Sequence, residues 1–382
     1  CLRHVSIGGL RINDGGEVFS FGDCDISAPT ITVHSPRFWR MLVLGGRLAV
    51  EEAYLRGEWD CDDLVGMMEV LMRNAPALRR LDNGFGALLG PWQQIKNWRQ
   101  QNTKSGSRRN IAAHYDLSNE FFALMLDRTM AYSAGIFQSA STSLEDASLE
   151  KFQRICRQLQ LSPDDHLLEV GCGWGGLAIY AAENFGCRVT ATTISQQQYD
   201  FAAAEIALRG LSGQITLLRE DYRDLDGTYD KLVSVEMIEA VGEKYLDTYF
   251  KKCSSLLKPE GLMLLQAITI EEQSYKAYRR SRDFIQQYIF PGGFLPAVSS
   301  ITGSVGRATN LRLLHILDFG ADYARTLSHW RSRFWANEER VRRLAFDRRF
   351  MRMWDYYLCY CQAGFQQRAT GVAHMLFTKS SC

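Results

Sequence analysis

Residues 166–176 read HLLEVGCGWGG, a short apolar run that carries Glu169 near its end and then breaks into Gly171, Gly173, Gly175 and Gly176. The run predicts a strand, the glycines a sharp loop whose bare backbone approaches a ligand closely, and the following LAIYAAENF a helix over that ligand. Strand, glycine loop and helix in this order are a cradle for a nucleotide-type cofactor. Loops of this kind also join strand to helix for packing alone, so the neighbouring sequence has to decide.

Gly171, Gly173 and Gly176 satisfy the G-x-G-x-x-G spacing of dinucleotide sites, which place an acidic residue about 20 positions later for the ribose. The next strand and its exit, CRVTATTISQQQ, offer Thr192, Thr193 and Ser195 there instead. A nucleoside cofactor without a pyrophosphate, such as S-adenosylmethionine, fits better than a dinucleotide.

Downstream, the apolar runs LLEV, RVTATTI, ITLLR, KLVSVEM and GLMLLQAITI alternate with helical patterns such as QQYDFAAAEIALR. Strand and helix in alternation predict an α/β, Rossmann-like fold with a parallel sheet between helices. Ligands bind beyond the carboxyl ends of such strands. The glycine loop, Thr193 with Ser195, Asp221 with Tyr222, Glu236 with Glu239, and Gln266 with Ile268 are therefore expected around one crevice. From about 272 to 354 the pattern turns helical and aromatic, including DFIQQYIFPGGFLP, and predicts a cap over the crevice. Upstream, residues 1–60 read as short and β-like with turns at Gly8, Gly9 and Gly45 with Gly46, followed by the helical LVGMMEVLMRNAPALRRL. The polar stretch 99–110 is the best linker, which divides the chain into a small unit over 1–105 and a larger one over 106–382.

The 382 residues are 46% hydrophobic and carry 44 basic against 43 acidic side chains, which gives no argument for a nucleic-acid partner. Between 331 and 352 eight arginines interleave with Phe334, Trp335, Phe346, Phe350 and Met351. This predicts either a helix pair with a core face or an attachment to anionic lipid headgroups. None of the ten cysteines forms a C-x-x-C pair, so they read as reduced thiols of a cytosolic protein and not as metal ligands. No run reaches the roughly 18 apolar residues that span a bilayer, and any membrane contact is expected to be peripheral, at the inner face. The chain begins at Cys1, so its natural start is expected to lie upstream.

Several motifs in one order carry a resemblance: HYDLSNEFF (114–122), MAYSAGIF (130–137), EVGCGWGGLA, TTISQQQ, DYRDL (221–225), EAVG (239–242), IFPGGFLP (289–296), FGADYARTLSHW (319–330) and YYLCYCQAGF (356–365). Together they resemble the cyclopropane-fatty-acyl-phospholipid synthase family and its mycolic-acid relatives, from about residue 110 to the end. The leading unit is similar to the N-terminal domain of bacterial members. The resemblance implies a class I methyltransferase fold. It also implies methyl transfer from S-adenosylmethionine to the cis double bond of an unsaturated acyl chain in a membrane phospholipid, forming a cyclopropane. A homodimer is a possible assembly. Mapped by motif, cofactor contacts fall on Tyr132, Ser133, Gly171, Gly173, Thr193, Gln198, Asp221, Tyr222 and Arg223. Tyr132, Tyr288, Phe290, Phe294 and Tyr323 are the expected aromatic walls.

Ring closure needs a base, and the family's is a bound bicarbonate. Its holders fall here on Ala134 through the backbone amide, Glu239, Gln266, Tyr323 and Ile268. Two of these differ from the family: Ala134 stands in place of cysteine and Gln266 in place of histidine. Family members also usually carry glycine where Glu236 stands and histidine where Ala240 stands. Glu236 is expected to add a negative charge near the anion unless it is turned away or protonated. Two products therefore remain open: a cyclopropane, or a methyl-branched unsaturated chain if the cation loses a different proton. A soluble-amine methyltransferase and a non-enzymatic lipid-binding protein are the readings from other classes.

Overall fold

The computed structural model describes residues 2–82 and 117–380. The linker at 99–110, the unit boundary at 105/106 and the start of the 114–122 motif lie outside the described residues.

Five apolar runs form the strands β5 (His166–Val170), β6 (Arg188–Thr192), β7 (Ile215–Leu218), β8 (Tyr229–Val235) and β9 (Leu257–Ile270). All five are parallel, in the order β9-β8-β5-β6-β7. The order reverses between β5 and β8, which places the binding crevice at their carboxyl ends. Side chains alternate across the sheet: Leu167, Val233 and Leu264 pack into one apolar cluster, whereas Leu168, Leu232 and Leu265 pack into another on the opposite face. Helices Leu144–Gln158 and Gly176–Phe185 cover the first face, and helices Leu246–Leu256 and Val298–Ala308 the second. Ser143 caps its helix by accepting a bond from the Asp146 N–H at 3.1 Å, the sort of start that a Ser-Leu-Glu-Asp sequence favours.

The sheet extends further than the sequence pattern indicated. The segment expected to be wholly helical contains β10 (Leu311–Asp318), and β11 (Thr370–Lys379) inserts between β9 and β10, antiparallel to both. β10 lies at the sheet edge and leaves Leu313, Leu314 and Ile316 exposed, so it lacks the buried apolar run that marks an interior strand.

The leading unit holds a four-stranded sheet in the order β2-β1-β3-β4, formed by β1 (Gly9–Asp14), β2 (Glu17–Gly22), β3 (Thr30–Val33) and β4 (Trp59–Cys61). Residues read as β-like between β3 and β4 instead form helices α1 (Arg37–Leu44) and α2 (Gly46–Leu55). The segment RFWRMLVL, with six apolar residues in eight, fits either period, and the Gly45-Gly46 break, with Gly46 at φ +65°, keeps both helices short.

One apolar core runs through both units: Leu10, Ile12, Phe38 and Met67 belong to the same cluster as Phe121, Trp354 and Tyr356. Arg352, on helix Arg348–Gln366, donates to Tyr54 O (2.6 Å), Trp59 O (2.7 Å) and Asp60 Oδ1 (2.5 Å), and lies 3.9 Å from the Tyr54 ring centroid. Arg349 pairs with Glu52 at 2.8 Å. The basic, aromatic stretch is thus spread over three helices, Gly320–Ala336, Glu338–Arg343 and Arg348–Gln366, with a core face. Trp330, Phe334, Met351 and Trp354 are buried, and Arg331, Arg342, Arg349 and Arg352 bond to carboxylates of the same chain.

Candidate active site

A cavity of about 1260 Å³ opens at the carboxyl ends of the parallel strands. It begins at the glycine loop and continues between apolar walls into the leading unit, where Leu10, Ile12, Met67 and Met68 line it. Of the expected aromatic walls, Tyr132, Phe290, Phe294 and Tyr323 line the cavity. Tyr288 does not. Its hydroxyl donates to Glu52 Oε2 at 2.9 Å, which ties it to the leading unit.

At the cofactor end, Gly171 and Gly173 have φ of +83° and +54°, in the left-handed region that glycine enters most readily. A Cβ on Gly171 would stand 2.8 Å from Met237 Cγ, whereas one on Gly173 would meet nothing within 4 Å among the described residues. Gly176 has another reason: a Cβ there would lie 2.5 Å from the Thr129 carbonyl oxygen. Thr193 and Gln198 line the cavity and bond to one another, the hydroxyl donating to Oε1 at 2.9 Å. Asp221, buried, accepts a two-pronged bond from Arg223 (Nε to Oδ1 2.8 Å, Nη2 to Oδ2 2.6 Å), which fixes the Asp221–Arg223 loop, and Tyr222 packs edge-on to Tyr249. Tyr132 shares a 2.8 Å hydrogen bond with the Tyr357 hydroxyl and stacks on Trp330. All nine residues mapped as cofactor contacts line this one cavity.

Lys151 was not among the sequence candidates. It reads as a solvent-facing cation on helix Leu144–Gln158, yet it is fully buried and donates to Ser133 Oγ at 2.6 Å. Burial lowers its pKa to about 8 against the pull of Glu236, Asp127 and Glu169. Glu169, on β5, is raised to about 8, again chiefly by burial. A lysine and three carboxyl groups thus gather at the cofactor end, where Glu169 and Glu236 line the cavity and Lys151 and Asp127 stand behind its lining.

The expected anion pocket differs most from expectation. Glu236, just past β8, has φ +48°, a left-handed conformation that costs an L residue roughly 1–2 kcal/mol. The turn points its carboxyl group inward. Oε1 accepts from the Ala134 N–H at 2.9 Å and from Gln266 Nε2 at 2.7 Å, and Oε2 accepts from the Tyr323 hydroxyl at 2.7 Å. These are donors that bicarbonate would need. Ala134 and Gln266 have no accessible surface left, and the cavity is lined at this point by Glu236 and Tyr323. Bicarbonate therefore does not fit, and Glu236 is neither turned away nor an added charge beside a separate anion.

Glu239 stands beside it with Oε1 accepting from the Ile268 N–H at 2.6 Å, while Oε2 is buried with no partner among the described residues. Burial, then repulsion from Glu236, raises its pKa to about 8. Burial also raises that of Glu236, opposed by the Ala134 and Tyr323 bonds, and lifts the Tyr323 phenol well above its ordinary value, so it remains a donor. Behind Gln266 lies His374 of β11, paired in register with it. Its Nε2 is 2.9 Å from Gln266 Oε1, and burial depresses it to about 3. Its Nδ1 lies 3.2 Å from Gln158 Oε1, and in the Nε2–H tautomer the neutral ring donates to Gln266 Oε1, which leaves the Gln266 amide nitrogen facing Glu236.

The family model for mycolic acid cyclopropane synthetase matches residues 102–375. The chain belongs to this family. It is similar to the cyclopropane-fatty-acyl-phospholipid synthase of Escherichia coli, with 38% identity over 92% of the chain and 89% of that protein. It is similar also to the tuberculostearic acid methyltransferase UfaA1 of Mycobacterium tuberculosis, with 36% identity over 90% of the chain and 82% of that protein. Among solved structures, the cyclopropane synthase MmaA2 from Mycobacterium tuberculosis superposes with a TM-score of 0.67 at 25% identity, covering 71% of this chain and 98% of that one. Coclaurine N-methyltransferase, at 18% identity and a TM-score of 0.67 over 87% of this chain and 99% of that one, shares the fold. The family member described here is an S-adenosylmethionine-dependent methyltransferase, and S-adenosylmethionine is its cofactor.

Proposed function

We propose that this enzyme transfers the methyl group of S-adenosylmethionine to the cis double bond of an unsaturated acyl chain of a membrane phospholipid and closes a cyclopropane. The observation that carries this reading is the continuity of the cavity, which joins a cofactor loop to a long apolar passage with a carboxyl cluster at their junction. An alkene is a weak nucleophile, and holding it dry and aligned beside the sulfonium methyl supplies part of the roughly 7–11 kcal/mol available from positioning. In this reading the nine mapped residues from Tyr132 to Arg223 hold the cofactor, Tyr132 and Tyr323 present ring faces to the developing cation, and Glu239 orders the Ile268 backbone beside the reacting carbons. When bound, the cofactor supplies the methyl group.

Association with the membrane surface is part of the proposal. Among the described residues no helix is long and apolar enough to cross a membrane. Helix α1 borders the cavity with Leu42 and Val43, Val43 is 71% exposed, and Arg37 and Arg40 stand exposed on the same helix. An apolar tip among basic residues suits an anionic lipid surface. Val43→Asp is expected to weaken sedimentation with anionic phospholipid vesicles and lower turnover on them, with S-adenosylmethionine affinity unchanged; unaltered vesicle binding would remove α1 from the interface.

The decisive experiment incubates the purified enzyme with unsaturated phospholipid vesicles and methyl-labelled S-adenosylmethionine, then resolves the product by mass and proton spectra. Gain of one methylene with upfield ring protons is the expected result. The same gain with vinyl protons retained would assign methyl branching, the second reading, which the altered anion pocket and the likeness to a tuberculostearic acid methyltransferase favour. No gain on any lipid would overturn both.

A further inference from the structure

We infer that Glu236 is a built-in replacement for the bicarbonate of related enzymes and is itself the base that removes the proton after methyl transfer. The inference rests on the lipid-methylating reading above. Three donors from separate parts of the chain converge on this carboxyl group: the Ala134 N–H, the Gln266 amide and the Tyr323 hydroxyl. Gln266 is aimed by His374 behind it, so the pocket is organised around the carboxylate through at least two layers. A strained backbone at φ +48° puts the side chain there, and strain of that sort persists where surrounding structure enforces it. Oε1 is fully engaged by its two donors, whereas Oε2 spends one acceptor site on Tyr323 and keeps another. Glu236 also lines the cavity, alongside Glu239, Ile268 and Tyr323.

The chemistry balances without an external anion. The alkene π pair attacks the sulfonium methyl carbon, the S–C bond breaks with its electrons left on sulfur, and a cation remains on the second alkene carbon. Glu236 then takes one proton from the added methyl group, and the released C–H pair forms the third ring bond to the cation. The carboxylic acid gives its proton to water once the product has left. If the proton comes from an adjacent chain carbon, the same base yields the branched alkene.

The test measures turnover on unsaturated phospholipid vesicles in buffer stripped of carbon dioxide and again with bicarbonate restored, for the parent enzyme, Glu236→Gln and Glu236→Gly. Thermal melts and S-adenosylmethionine binding confirm that each variant is folded. The parent is expected to be indifferent to bicarbonate. Glu236→Gln fills the pocket with a neutral amide and is expected to lose about 100-fold or more under both conditions. Glu236→Gly opens the pocket and is expected to recover at least about tenfold of its lost rate when bicarbonate is added, on the scale of one positioned charged group. A parent enzyme stimulated by bicarbonate, a Glu236→Gln that keeps parental turnover, or a Glu236→Gly equally active without the anion would overturn the assignment while leaving the methyl-transfer reading intact. Failure of the folded parent to methylate any lipid would overturn the reading, and this proposal with it.

Discussion

Glu239 has one carboxyl oxygen bonded and the other buried without a partner among the described residues. Glu239→Ala removes the acceptor that orders the Ile268 backbone. It is expected to lower turnover about 100-fold while the calorimetric affinity for S-adenosylmethionine changes by less than about tenfold; equal losses would make the residue part of the cofactor site instead. Its proton also links to stability. The folded protein holds that proton up to about pH 8 instead of 4.5, so this contribution is full below 4.5 and is lost as pH rises toward 8. The slope is on the order of 1 kcal/mol per pH unit for one such group. Melting temperature is therefore expected to fall across that window in the parent and to fall less in Glu239→Ala. At this scale the sequence was partly legible. The departure at Glu236 stood out, and so did the three groups that hold its carboxylate. What joins them is a left-handed backbone turn that no residue type announces. Lys151 and His374 escaped notice because a lysine on an amphipathic helix and a lone histidine in a strand carry no sign of burial or of what they face.

The glycine loop separates two duties that its sequence runs together. Gly173→Ala places its methyl group in open space at the cofactor end, at a backbone cost of about 1 kcal/mol. It is expected to melt close to the parent but to lose roughly tenfold or more in S-adenosylmethionine affinity by calorimetry. Gly176→Ala instead drives a methyl group against the Thr129 carbonyl and is expected to cost about 1–3 kcal/mol in stability, measured by denaturant unfolding, whether or not cofactor is present. β5, β6, β8 and β9 were readable because interior parallel strands are nearly continuous apolar runs, and the edge strand β7 because ITLL keeps such a run. β10 was not, since LRLLHILD, apolar at 311, 313, 314, 316 and 317, fits a helical spacing as well as an extended one, and its antiparallel partner β11 breaks the strand-helix alternation that made the others legible.

At the level of the whole molecule the two units share one core, and Arg352 ties them together with three hydrogen bonds. Its guanidinium is only 11% exposed, whereas its partner Asp60 is 42% exposed. Arg352→Ala leaves the Tyr54 and Trp59 carbonyls without this donor and is expected to destabilise the protein by about 2 kcal/mol by chemical denaturation, less than for a fully buried pair. Screening by added salt is expected to reproduce little of that loss; a large salt effect would place the pair in solvent. The cavity crosses the same junction, with the glycine loop in one unit and Leu10, Ile12, Met67 and Met68 in the other. In the proposed reaction no side chain needs to recognise the double bond, because the passage works as a ruler: how far an acyl chain can slide in decides which of its carbons arrives beside the methyl donor. Bulk added in the leading unit would then move the modified carbons along the lipid without altering a residue that touches them.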